Sequence, residues 1–248
     1  MATPSLSTAS HRPIQQRGGA TVLDKPPFLA RYPWVGYLLF IVCGIAYTVL
    51  AWQVISDAPF TRREAVLEKQ IFDWAHTQST PLVLLMRFLS AYGRDGVALI
   101  VLGLTIGWGR RKARRELQML FFGVLAGELW FQLLGSLVNR PRPQFKDPFE
   151  NLIGAGFPSG HATTNLLLGW LILYLLLPHI RSPLRRGLLI FAVIVTVLAI
   201  SFSRLFLGLH YPSDILGGYA LALAWGGLIY TLIDRAFWKR QERKSLRA

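Results

Sequence analysis

Cysteine is almost absent from this chain: Cys43 is the one cysteine in 248 residues, and it lies inside an apolar run. An internal disulfide and a multi-cysteine metal site are both excluded. Charge is scarce as well. Asp, Glu, Lys and Arg make up 16% of the residues, whereas soluble domains carry about 25%. Acidic residues are the scarcer sign, 13 against 27 basic ones, for a formal net charge of +14. No repeat of fixed period and no second domain interrupts the pattern. What the chain has instead is apolar sequence, 52% of its residues, in runs close to the ~20 residues that cross a bilayer as a helix. The class is all-α and polytopic, built from membrane-spanning helices.

Residues 1–32 are polar and aperiodic and read as a disordered tail. The first apolar run, 33–55, is too long for a signal peptide and has no small-residue cleavage pattern after it. It is the first span. Leu67, Ile71 and Trp74 then stand at helical spacing among Glu64, Glu68, Lys69 and Asp73, the pattern of an amphipathic interfacial helix. The apolar run 96–108 is too short to cross a membrane alone, so the second span is expected to begin near Ser90. Further spans are expected over 117–138, 162–177, 187–206 and 215–233. Together they make one six-span domain over 33–237, closed by a basic tail, 238–248. Trp34, Trp52, Trp108 and Trp238 near span ends fit an aromatic belt.

The positive charge is not spread evenly. The two tails and the loops after the second and fourth spans hold 18 of the 27 Lys and Arg and four of the 13 acids. Nine of each sign remain elsewhere, so the whole excess falls on one side of a six-span bundle. That side is expected to be cytoplasmic, termini included, in a multi-pass protein of the cell membrane. These charges flank spans instead of forming a stripe on a folded surface, which argues against nucleic acid and for contact with anionic head groups of the bilayer.

The opposite side collects the chemistry. Phe157-Pro158-Ser159-Gly160-His161 begins the fourth span, and Ser203-Arg204-x5-His210-x3-Asp214 links the fifth to the sixth. Two of the five histidines, an arginine and an aspartate sit there. A phosphate ester has to be held, attacked and relieved of its leaving oxygen. Arginine holds two phosphate oxygens with one planar fork. Ser159 and Gly160 stand where a helix N-terminus favours an anion. His210 and Asp214 are four apart, so one helical turn lets the carboxylate accept one ring N–H and present the other nitrogen as a nucleophile. His161, from the other stretch, has the chemistry of a general acid near neutral pH. Taken singly, each has a plainer reading. His161 could be a helix-start residue bonded to a carbonyl, Asp214 an N-cap, and Arg204 a snorkelling side chain. Their joint occurrence on one face of a charge-poor chain favours the functional reading.

Arg142-Pro143, then Pro158-Ser159-Gly160-His161, then Ser203-Arg204-x5-His210-x3-Asp214 resembles the three-part signature of the PAP2 family, the type 2 phosphatidic acid phosphatases. The resemblance covers roughly residues 65–235. It implies a six-span PAP2-like membrane phosphatase without metal or other cofactor. In it His210 becomes phosphohistidine, Asp214 orients His210, and His161 protonates the leaving oxygen. Arg142, Arg204, Ser159 and Gly160 bind the phosphate. One part departs. The family's first motif has a lysine seven residues before its arginine, and here that position is Gly135. Either Arg140 or Lys146 from the same loop serves as an auxiliary cation, or the site handles its substrate differently. A glycine on a face shared with Glu128 and Gln132 also suits close helix packing. Glu128 itself is expected to pair with a polar neighbour.

The expectation is an integral membrane phosphatase acting on a lipid phosphate or diphosphate from the outer face. Phosphatidic acid, phosphatidylglycerol phosphate and polyprenyl diphosphate are all compatible, with the head group entering among the third to sixth spans. A lipid-phosphate transporter or flippase, or a phosphotransferase using the same residues, are the alternatives. Nothing in the sequence sets the oligomeric state.

Overall fold

A computed structural model describes residues 25–144 and 154–247, and every regular element among them is helical. In chain order these are α1 (Phe28–Arg31), α2 (Pro33–Ile55), α3 (Pro59–His76), α4 (Thr80–Ala91), α5 (Val97–Arg110), α6 (Arg114–Gln118), α7 (Ala126–Val138), α8 (Gly160–Leu176), α9 (Pro183–Phe206) and α10 (Pro212–Ser245). A π-helical stretch, Tyr92–Gly96, runs α4 into α5, and another, Met119–Leu125, runs α6 into α7. Six continuous stretches are long and apolar enough to cross a bilayer: Pro33–Ile55, Thr80–Arg110, Arg114–Val138, Gly160–His179, Pro183–Phe206 and Pro212–Ser245. Helices satisfy their backbone groups internally, as hydrocarbon demands. Proline sits in the first turn of α2, α3, α4, α9 and α10, where its missing N–H leaves nothing unsatisfied.

Helices α8 and α10 form the centre, with 44% and 56% of their apolar windows buried against 11% for α2. Leu167, Leu168 and Leu171 of α8 pack with Leu221 and Tyr230 of α10 and with Met119, Leu120 and Val124. Small residues bring α2 against α10. A Cβ on Gly36 would lie 1.9 Å from Thr231 Oγ1, a contact only glycine permits. At the end carrying the basic loops, Arg115 Nε donates to Asp234 Oδ1 at 2.7 Å and the Tyr174 hydroxyl bonds Asp234 Oδ2. At the other end a smaller cluster of Ala75, Met86, Phe206, Leu207 and Leu209 locks α3 and α4 onto the turn after α9.

The structure corrects three boundaries. The second span begins at Thr80, ten residues before the expected start, because the helix continues through Tyr92–Gly96 instead of breaking at Arg94 and Asp95. Residues 28–31, expected in the tail, form a helical turn. Leu29 is buried there and its N–H donates to the Tyr174 hydroxyl at 3.0 Å. The basic tail from Trp238 continues α10 as helix to Ser245, as a run of Lys, Arg, Glu and Gln favours. Residues 1–24 of the expected N-terminal tail lie outside the described residues.

Helix α3 is amphipathic as expected, and it is two glutamates that it turns inward. Leu67 and Trp74 are exposed, while Glu64 and Glu68 are 3% and 1% exposed. The apolar face is turned outward, to the side a bilayer would cover, and the carboxylates face the bundle. Glu68 Oε1 has no hydrogen-bond partner among the described residues. Burial, reinforced by Asp73 and opposed by Lys69, pushes its pKa up to about 7. A folded pKa above the unfolded one means the native state holds the proton more tightly. That stability is full below about 4.5 and is lost as pH rises to about 7. Glu68→Gln keeps the shape and cannot ionise. It is expected to raise the melting temperature at pH 8 and to leave it unchanged at pH 4, with melting followed at both. Equal curves at pH 8 would mean that the native carboxylate is hydrated.

Candidate active site

The start of α8 and the start of α10 are stapled together. Ser159 N–H donates to the Asp214 carbonyl at 2.9 Å, and the Ser159 side chain caps α8 by accepting from Ala162 N–H. The approach is close enough that a Cβ on Gly218 would lie 2.8 Å from Ser159 O. Phe157 lies across Gly217. The two stretches singled out in the sequence, whose nearest titratable members are His161 and Arg204, therefore meet at one end of the bundle.

The turn after α9 brings His210 into this junction. Gly208 takes φ +66°, a left-handed conformation that suits glycine, and the chain doubles back so that Leu209 N–H bonds Arg204 O at 2.9 Å. His210 is buried. Its Nδ1 lies 3.3 Å from Asp214 Oδ2, and its Nε2 lies 3.1 Å from Arg142 Nη1. An arginine donates only, so Nε2 accepts and the ring proton sits on Nδ1, facing the carboxylate. Arg142 is held there by the carbonyls of Leu209 (3.2 Å) and Gly154 (3.3 Å). Burial, with the guanidiniums of Arg204 and Arg142, holds the His210 pKa well below the ordinary value of 6.5. The imidazole is neutral, with its lone pair on Nε2.

His161 stands on the other side. Its Nε2 donates to Ser90 O at 3.2 Å, and Ser90 Oγ accepts from Arg204 Nη1. Arg204 lies within electrostatic reach of both histidines. Asn165 Nδ2 bonds Gly93 O and His161 O, both at 2.9 Å. It seats the π-helical stretch against the site, where Gly93 passes so close that a Cβ would be 3.1 Å from His161 Cδ2. Ser90 is a residue that motif reasoning missed; in the sequence it was only a helix boundary.

The auxiliary cations fall out differently. Arg140 is buried with both arms taken: Nη2 on Glu64 Oε1 at 2.6 Å, Nη1 on Asp214 Oδ1 at 2.6 Å and on Ser213 Oγ at 2.7 Å. Its guanidinium lies 4.1 Å from the Tyr211 ring centroid. These contacts place it behind Asp214, away from the face that Arg142 shares with His210. Lys146 lies outside the described residues. Glu128 pairs with polar neighbours, Gln132 Nε2 at 3.1 Å and the Thr164 hydroxyl. Among the described residues no three His, Cys, Asp or Glu side chains are grouped as a metal site.

Six membrane-spanning helices, with a buried histidine–carboxylate pair under an arginine and a second histidine opposite, define a multi-pass helical membrane protein. The chain belongs to the PAP2 superfamily, whose profile matches residues 117–238. Phosphatidylglycerophosphatase B of Bacillus subtilis is 30% identical over 189 residues, 75% of this chain and 87% of that protein. Undecaprenyl-diphosphatase BcrC of the same organism is 28% identical over 172 residues, 67% and 82% of the two chains. The fold matches the crystal structure of a transmembrane PAP2-type phosphatidylglycerolphosphate phosphatase from Bacillus subtilis. The TM-score is 0.65 at 20% identity, over 81% of this chain and 96% of that one.

Gly135, singled out in the sequence, is buried at the end of α7. A Cβ there would lie 3.1 Å from the Phe157 carbonyl oxygen and 3.7 Å from Pro158 Cδ. The position therefore packs α7 against the backbone of the loop that leads into α8. Gly135→Lys is expected to lower the melting temperature and to leave phosphate inhibition no stronger. Tighter inhibition by phosphate in a variant of unchanged stability would show instead that position 135 faces the anion.

Proposed function

We propose that the protein is an integral membrane phosphatase that hydrolyses a lipid phosphate or diphosphate through a phosphohistidine at His210. The observation that carries this reading is the neutral, buried His210, oriented by Asp214 through Nδ1 and turned through Nε2 toward Arg142. In the first step the Nε2 lone pair forms a bond to phosphorus while the bond from phosphorus to the leaving oxygen breaks. His161, whose Nε2–H is tied to the Ser90 carbonyl, enters the step as the imidazolium, a form that the bound phosphate dianion favours, and gives the leaving oxygen its Nδ1 proton. Arg142, Arg204 and the start of α8, with Ser159 and Gly160, carry the charge on the phosphoryl oxygens. In the second step His161 takes a proton from water, the water oxygen bonds phosphorus, and the N–P bond breaks to return His210 and release inorganic phosphate. The step uses no metal.

Two features support a lipid substrate and an outer face. The excess of positive charge lies at the end of the bundle opposite the site, which supports an extracytoplasmic site. A lateral cavity of about 560 Å³ opens between α2, α7 and α10, lined by Phe40, Gly44, Tyr47, Trp130, Leu134 and Trp225. Tyr47 stacks on Phe157, ring centroids 5.6 Å apart, so the cavity adjoins the strip that begins α8. A hydrocarbon tail fits there, beside the first span and not only among the third to sixth.

The test is inorganic phosphate release by purified protein from phosphatidic acid, phosphatidylglycerol phosphate and undecaprenyl diphosphate, with and without chelator. Release from at least one lipid is expected, undiminished by chelator and abolished in a folded His210→Ala variant. Full activity in that variant would remove the nucleophile assignment. No release by folded wild-type protein would favour a lipid-binding or transport role. The cavity has its own test. A Cβ on Gly44 meets nothing within 4 Å, so Gly44→Leu fills the groove without disturbing the core. It is expected to raise KM several-fold for a long-chain lipid and to leave a short-chain soluble analogue unaffected. Equal effects on both would place the tail elsewhere.

A further inference from the structure

We propose that Glu64 of α3 is a positioning residue for the nucleophile, acting through Arg140 and Asp214; this rests on the reading of His210 given above. Glu64 lies outside the region matched by the family profile, which begins at residue 117. It sits on a helix whose other face is exposed and apolar, yet it is 3% exposed. A carboxylate withdrawn this far from water is costly unless its partners are supplied. Here they are supplied by the elements that carry the site. Glu64 Oε1 accepts from Arg140 Nη2 at 2.6 Å and from Ser213 Oγ at 2.7 Å, and Oε2 accepts from Ser213 N–H at 2.9 Å.

Two consequences follow from these bonds. Ser213 N–H belongs to the first turn of α10, where backbone donors lack intrahelical partners and an anion is favoured. Glu64 caps that turn from another helix and so fixes the segment that carries Asp214. The second consequence is electrostatic. Glu64, Arg140 and Asp214 form a line that ends at His210 Nδ1, and Asp214 Oδ2 also accepts Tyr211 N–H at 2.8 Å. Arg140 alone would cancel Asp214, leaving His210 facing a neutral pair. With Glu64 ionised, the three groups carry one net negative charge. Attack by Nε2 puts positive charge on the imidazole ring, and that net negative charge is placed to balance it. Arg140 thus becomes a rigid spacer between two carboxylates, and Glu64 offsets part of the positive charge that Arg140 projects onto the histidine.

The test separates charge from docking. Phosphate release is measured for wild type, E64Q, E64D and the double variant E64Q/R140Q on whichever of the three lipids the wild type hydrolyses, with melting curves for each. Gln keeps the shape and can keep Ser213, its oxygen accepting Ser213 N–H and its NH2 facing Ser213 Oγ, but it loses the charge and the acceptor for Arg140 Nη2. E64Q is expected to lower kcat roughly ten- to a hundredfold with KM within about twofold of wild type. E64D, a poorer steric match that keeps the charge, is expected to retain more kcat than E64Q. E64Q/R140Q, which restores the net negative charge, is expected to recover part of the kcat lost in E64Q. A purely docking role predicts the reverse order: E64Q near wild type, E64D worse and the double variant worst. That order, or a change confined to KM, overturns the proposal while leaving the phosphatase reading intact. An inactive wild type overturns the phosphatase reading and this proposal with it.

Discussion

A carboxylate with no exposure to solvent must be satisfied entirely by the protein around it, and Asp214 is such a group. Its two oxygens accept from Arg140, Tyr211 N–H and His210 Nδ1, while its backbone carbonyl accepts Ser159 N–H. Four separate stretches thus converge on one residue: the loop after α7, the turn after α9, the start of α8 and α10 itself. Losing any of these bonds leaves part of a buried anion unpaired, which is far more costly than losing an ordinary surface contact. The same requirement that holds the end of the bundle together also holds His210 in one tautomer. Stability and chemistry at this end are set by the same bonds.

Much of this was legible in the sequence because the signals were local. The six apolar runs, the asymmetric basic loops and the i, i+4 spacing of His210 and Asp214 depend on neighbours in the chain, and the six-span all-α fold and the meeting of the two polar stretches followed. Three features were not legible, for related reasons. The start of the second span was misplaced because Arg94 and Asp95 look like a loop. In the structure they lie in a π-helical stretch and bond each other, so helix continues through them. Arg140 and Arg142 are two residues apart and chemically equivalent, and only the fold sends one behind Asp214 and the other to His210. The spacing of α3 showed its amphipathicity, but which face turns inward depends on what α3 packs against. Next to a basic site at a membrane end, the acidic face turns in and the apolar face is left for lipid.

The inward-facing glutamates of α3 change the role of the chain before residue 117. The family profile covers the part that holds His161, Arg204, His210 and Asp214, and the preceding spans could be taken as simple anchors. They are not. Ser90 bridges Arg204 and His161 through its hydroxyl and carbonyl, and Glu64 closes the line of charges behind Asp214. Phe40, Gly44 and Tyr47 of α2 wall the lateral cavity. Residues that orient the site and residues that border its approach from the bilayer therefore sit together in one segment.

That arrangement constrains how the site can vary. A change at the exposed Leu67 of α3 touches none of the bonds around Asp214. A change at Glu64 removes charge from a line that reaches the histidine ring, and it also strips a cap from the first turn of α10. The glycine at 135 is bound in a similar way. It packs α7 against the Phe157 carbonyl, and Phe157 lies across Gly217 of α10 and stacks on Tyr47 of α2. A side chain there would act on the strip that begins α8 and on the lateral cavity together, through one aromatic ring. Glycine at that position is thus coupled to close packing around Phe157, and a larger residue would require the loop before α8 to move first.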